Sequence, residues 1–170
     1  MKKYGKLTKD KTLFILDRSV IENWIEGGSN SEWTRAFIDL LAYLKRKWKG
    51  MTSYVALLPV DALIEIKKAG KKYVMHDTFK DVLNSLLLVI EANPHRELSS
   101  EEAVKIIATA HLDKNYTPII ITLNKENYSG IACHCLEPKD VFHLFIMFYG
   151  LMPEPAQKVY STWFENLATA

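Results

Sequence analysis

The sequence predicts an α/β protein: a three-layer sandwich whose central, mostly parallel sheet of about four to five strands is flanked by helices, with further helices at the C-terminus. Three observations predict it. Short apolar-rich runs, Leu13 to Leu16, Met51 to Leu58 and Ile119 to Leu123, read as strands, and the continuous ones fit parallel strands buried on both faces. Segments with apolar residues at helical spacing alternate with them. The first run stops at an acid, Asp17, and the chain then turns towards a helix. That puts a carboxylate at the carboxyl end of a buried strand, where open α/β sheets place their ligands.

In chain order, Met1 to Lys11 is polar and basic and reads as a loose arm. After the first strand, Gly27-Gly28-Ser29-Asn30-Ser31 is a loop. Trp33, Phe37, Leu40, Leu41, Leu44 and Trp48 then predict a helix over Ser31 to Lys49. Its last turn carries Lys45, Arg46, Lys47 and Lys49, which suit a helix C-terminus. Pro59 opens the next helix and Lys67, Lys68 and Gly70 close it. Phe79, Val82, Leu83, Leu86, Leu87 and Ile90 predict a helix over Asp77 to Ala92, stopped by Asn93-Pro94. Ala103, Ile106, Ile107 and Ala110 predict another over Ser99 to Lys114. A short strand over Ile131 to Leu136 follows the apolar strand Ile119 to Leu123. Pro138 starts a helix with Val141, Phe142, Leu144, Phe145 and Phe148 on its apolar face. After Pro153-Glu154-Pro155 a last helix carries Val159, Trp163, Phe164 and Leu167.

The 170 residues fit one domain, with 48% hydrophobic and 25% charged residues. A net charge of +2 gives no global polyanion signal, so affinity for nucleic acid has to come from a local patch. Lys45, Arg46, Lys47, Lys49, Lys67, Lys68, Lys71 and Lys72 supply the candidates, or are simply solvated helix ends. No apolar stretch reaches the length a bilayer requires, about 20 residues, and no signal peptide is visible. The two cysteines, Cys133 and Cys135, read as reduced thiols, which implies a cytoplasmic protein. The histidines lack metal-ligand spacing, Cys133-x-Cys135 lacks the second ligand pair of a zinc site, and Gly27-Gly28 lacks the frame of a phosphate loop.

Chemistry concentrates on Asp17, on Glu65 in the helix after the second strand, on Glu102 in the first turn of the helix over Ser99 to Lys114, and on Asn124 after the late strand. A parallel sheet can bring these to one edge. Converging carboxylates repel, so they call for a cation, and oxygen ligands suit Mg²⁺ or Mn²⁺. Each residue also has an ordinary reading. Asp17 caps a turn. Glu65 pairs with nearby lysines. Ser99 and Glu102 form an S-x-x-E capping box. Asn124 marks a turn.

The order of these segments resembles the PIN (VapC-like) nuclease family. Ile15-Leu16-Asp17-Arg18-Ser19-Val20 looks like that family's opening I-L-D-T-S-V strand, and Leu58 to Ile66 is similar to its second strand and the helix with the second acid. Glu102 to Ala110 resembles the helix of the third acid. Pro118 to Tyr128 resembles the strand and T-x-D-x-D-F segment, and Cys133 to Asp140 the final strand and its ending. The resemblance implies a PIN-like domain over 12–142, after a basic arm over 1–11 and before a helical extension over 143–170 packed on the same domain.

It further implies a divalent-metal ribonuclease acting on RNA phosphodiesters. Asp17, Glu65 and Glu102 would ligate Mg²⁺ or Mn²⁺, Asn124 would stand at the fourth acid position, and Ser19 would supply a hydroxyl beside the first acid. A toxin role, with an antitoxin as protein partner, follows from the family alone. The departures imply the alternative, a catalytically inactive PIN-like module binding RNA or a protein. Arg18 replaces a small residue, Glu102 is one methylene longer than the usual Asp, and Asn124 and Asn127 replace acids. The C-terminal Phe145, Phe148, Tyr149 and Trp163 either complete the core or form a homodimer or partner surface.

Overall fold

A computed structural model describes residues 12–47, 54–69, 87–112 and 117–141, together with Lys158 and Ser161. Five strands form one sheet: β1 (Thr12–Leu16), β2 (Tyr54–Pro59), β3 (Leu87–Ile90), β4 (Thr117–Ile121) and β5 (His134–Leu136). Their order is β3-β2-β1-β4-β5, and each neighbouring pair is parallel. The helices are α1 (Arg18–Glu26), α2 (Ser31–Lys47), α3 (Val60–Lys68) and α4 (Ser100–Leu112), with a 3₁₀ turn at Lys125–Tyr128. A further helical turn begins at Pro138, where the sequence places one. The layered α/β architecture expected from the sequence is therefore present.

β1 lies at the centre because both its faces are apolar. Leu13 and Ile15 pack with Leu57, Ile120, Val104, Ile107 and Ala108, which puts α4 on one face of the sheet. Alternation sends Phe14 to the other face, where its ring meets Phe37 of α2 edge-on, centroids 5.9 Å apart. Ile15, Leu16, Leu58, Ile119, Ile120 and Ile121 have no appreciable exposure.

α1 begins directly at Asp17, whose side chain accepts from the Ser19 N–H, and ends at Gly27, whose φ of 82° favours glycine. Asn23 ties the next loop down. Its amide donates to the Gly27 and Ser29 carbonyls, and its oxygen accepts from the Thr34 hydroxyl at 2.6 Å. α2 is thereby fixed against the end of α1.

One predicted element is of the wrong type. The helix expected over Asp77 to Ala92 gives way at Leu87–Ile90 to edge strand β3, paired with β2 from Ala56↔Leu87 to Pro59↔Ile90. Residues 77–86 lie outside the described residues. Leu86-Leu87-Leu88-Val89-Ile90 satisfies both periods, and a free ladder on β2 decides for the strand. The other strands shift at their ends: the first starts at Thr12, the second ends at Pro59, the late strand is Thr117–Ile121, and the last is confined to His134–Leu136, leaving Cys133 just outside it. The basic arm, and the C-terminal extension apart from Lys158 and Ser161, lie outside the described residues, as do Lys49, Lys71 and Lys72 and the side chains of Lys45, Arg46 and Lys47.

A candidate site at the carboxyl edge of the sheet

The pairing of Leu16 with Ile121 continues one step further: the Asp17 N–H donates to the Ile121 carbonyl at 2.9 Å, and the Thr122 N–H to the Leu136 carbonyl at 3.0 Å. Asp17 and Thr122 thus emerge side by side from the two central strands. Asp17 is only 2% exposed. Its Oδ2 accepts from the Ser19 hydroxyl at 2.6 Å and the Thr122 hydroxyl at 2.9 Å, and its Oδ1 accepts from the Tyr128 hydroxyl at 2.7 Å. A buried carboxylate needs such partners.

The donors are held in turn. Ser19 Oγ accepts from the Leu123 N–H at 3.1 Å, and Thr122 Oγ1 from the Asn124 N–H at 3.0 Å. Tyr128 is buried on the 3₁₀ turn. Burial first, and then the charge and hydrogen bond of Asp17, push its phenol well above the ordinary tyrosine range, so it stays a donor.

Glu65 forms a second centre. Its side chain is 24% exposed and pairs with Arg18, Nη1 to Oε2 at 2.6 Å. The same guanidinium meets Glu22 through Nε at 3.0 Å. Ser100 completes the set: its N–H donates to Glu65 Oε1 at 2.9 Å and its hydroxyl to Oε2 at 2.8 Å. The N–H at the start of α4 is therefore satisfied by a carboxylate from α3.

Glu102 goes elsewhere. Its side chain is 56% exposed, its Oε2 accepts from the Ser99 N–H at 3.4 Å, and its own N–H donates to Ser99 Oγ at 3.2 Å. This is the capping box, with Arg96 3.8 Å away. Glu101 stands nearer the centre, its Oε2 3.3 Å from the Ser100 hydroxyl oxygen, and its charge also raises the Tyr128 pKa. Asn124 is exposed at the start of the 3₁₀ turn, and its side chain makes no capping bond there.

Asp17, Glu65, Asn124 and Ser19 thus come to the same sheet edge, while Glu102 turns away from it. Thr122, Tyr128, Ser100 and Glu101 complete the arrangement and were not singled out from the sequence. Thr122 was accessible in principle, as the first polar residue after the strand that pairs with β1. Tyr128 depends on a turn that brings it back over Asp17.

The expected metal set does not fit this geometry. Among the described residues no three His, Cys, Asp or Glu side chains are grouped to hold an ion. Asp17 is enclosed by hydroxyls, and Glu65 already faces a guanidinium. Mg²⁺ keeps several waters when it binds and needs room for them. An amide at Asn124 contributes no charge.

The rim of the edge carries an aromatic ring and charges of both signs. Lys139 Nζ lies 5.5 Å from the centroid of the Trp33 ring. These two residues, with Leu123, Glu137 and Pro138, line part of a shallow surface depression. Lys125 pairs with Asp140 at 2.5 Å, which raises its pKa. Among the described residues no helix is long and apolar enough to cross a membrane.

No family model and no curated protein matches the sequence. Among solved structures the chain is similar to the PIN domain endonuclease Utp24, at 14% identity and a TM-score of 0.45, over 68% of this chain and 74% of that one.

Proposed function

We propose that this chain is a PIN-like module that binds single-stranded RNA at the carboxyl edge of its sheet without cleaving it. One observation carries the reading: Asp17 and Glu65 at that edge are already bonded from within, Asp17 by three hydroxyls and Glu65 by Arg18 and Ser100. Trp33 and Lys139 at the rim put an aromatic ring and a cation together, the kinds of group that single strands take up. A fluorescent single-stranded RNA tests it. Binding is expected to survive EDTA, to weaken with salt, and to weaken in Trp33→Ala, with the RNA intact after incubation with Mn²⁺.

A second reading is the divalent-metal ribonuclease, with Asp17, Glu65, Glu102 and Asn124 as the reacting set. It is favoured by the position of Asp17 and Glu65, which follow the carboxyl ends of adjacent strands β1 and β2. Mn²⁺-dependent cleavage that disappears in Asp17→Asn would establish it and overturn the first. A toxin role and an antitoxin partner would depend on that result.

A further inference from the structure

The resemblance that names acids at this edge also names a divalent ion to neutralise them, and the residues present do not fit one. Arg18 follows Asp17 directly and opens α1, so its side chain leaves the same point of the sheet as the first acid. Its guanidinium reaches across to α3 and binds Glu65 through Nη1, while Nε holds Glu22 one turn further along α1. A guanidinium presents fixed, planar donors and keeps its charge at any accessible pH, so it can serve two carboxylates at once. Glu65 has its remaining bonds from Ser100, at the start of α4. Arg18 and Glu65 together therefore tie α1, α3 and α4 at the ligand edge.

We infer that Arg18 is the resident cation of this site: its guanidinium takes the electrostatic place of a divalent ion, closes Glu65 to metal, and makes the fold independent of Mg²⁺ and Mn²⁺. This deepens the non-cleaving reading. The two can fail separately, because one is read from melting and the other from RNA binding and integrity.

The distinction from an ordinary surface ion pair lies in what removing the charge does. A surface pair that is lost leaves its carboxylate in water, with little consequence. Removing Arg18 leaves Glu22 and Glu65, which share its guanidinium, without their counter-charge, a setting in which an added cation that binds the folded state stabilises it.

The test is thermal melting in EDTA, Mg²⁺ and Mn²⁺ at matched ionic strength, on the wild type, Arg18→Gln, Arg18→Lys and the double variant Arg18→Gln with Glu65→Gln. The wild-type Tm is expected to be the same in all three conditions. Arg18→Gln is expected to melt several degrees lower in EDTA and to recover with Mn²⁺, and the recovery is expected to vanish in the double variant. A Tm that rises with Mn²⁺ in the wild type overturns the inference, as does an Arg18→Gln variant that ignores the ion or a recovery that persists without Glu65. Should Arg18→Gln not fold in EDTA, Arg18→Lys decides. Lysine keeps the charge, so its melting should stay unmoved by Mn²⁺, and a rise there overturns the inference.

Discussion

Asp17 illustrates how much a single buried carboxylate asks of its neighbours. Its oxygens accept three hydroxyls, each held by further bonds or by burial, so removing the acceptor strands three donors at once. Asp17→Ala should therefore cost about 3 kcal/mol, and a chain of this length should lose roughly 6–12 °C of Tm. A loss below about 1 kcal/mol in denaturant unfolding would mean that the hydroxyls find other partners.

Tyr128→Phe keeps the ring and deletes one bond to a charged group, for a loss of about 2 kcal/mol. The same residue sets a pH dependence. Its phenol is raised in the folded state above the ordinary value of 10.0, because burial and the Asp17 charge disfavour the phenolate. The folded protein thus keeps a proton that the unfolded chain releases. This contribution is complete below about pH 10 and is lost as pH rises further. Melting between pH 8 and 11 should show a steeper alkaline fall in the wild type than in Tyr128→Phe. Parallel curves would mean that Tyr128 titrates in the folded state as it does in the unfolded chain.

At the scale of elements, the start of α4 separates two roles for a glutamate. Glu102 closes the capping box with Ser99, and that box accepts glutamine as readily as glutamate. Glu102→Gln should leave stability within about 0.5 kcal/mol of wild type, whereas Ser99→Ala should lose about 1 kcal/mol. A ligand carboxylate would show the reverse pattern in RNA cleavage, with Glu102→Gln the damaging change. Strand β3 teaches a different lesson. Four consecutive apolar residues fit a helix face as well as a buried strand, and only the open ladder of β2 distinguishes them.

At the scale of the molecule, stability rests on the sheet's two apolar faces and on β1 between them. Ile15 has no exposure and packs among Leu57, Ile120, Val104 and Ile107, so Ile15→Ala should cost about 3–4 kcal/mol, transfer and cavity together. Ile106, on the outer side of α4 and 39% exposed, should cost under about 1 kcal/mol on the same change. Equal losses in urea unfolding would contradict the layer assignment.

Asp17 at the end of a buried strand, the alternation of apolar runs with helical spacing, and the arrival of Glu65 and Asn124 at one edge were legible in the sequence, because they follow from local periodicity and from the way parallel strands deliver their ends. The Ser99 and Glu102 cap was legible too, as one of two readings that local spacing could not separate. The bonds that decide the site were not. Tyr128 reaches Asp17 across 111 positions, Thr122 across 105, and Arg18 reaches Glu65 across 47. Such contacts depend on strand register and on the turn of the chain after β4. Asp17 is buried under hydroxyls, Glu65 is claimed by a guanidinium and Glu102 turns outward because packing fixed those partners, and no local pattern encodes which side chain a folded edge will bring opposite another.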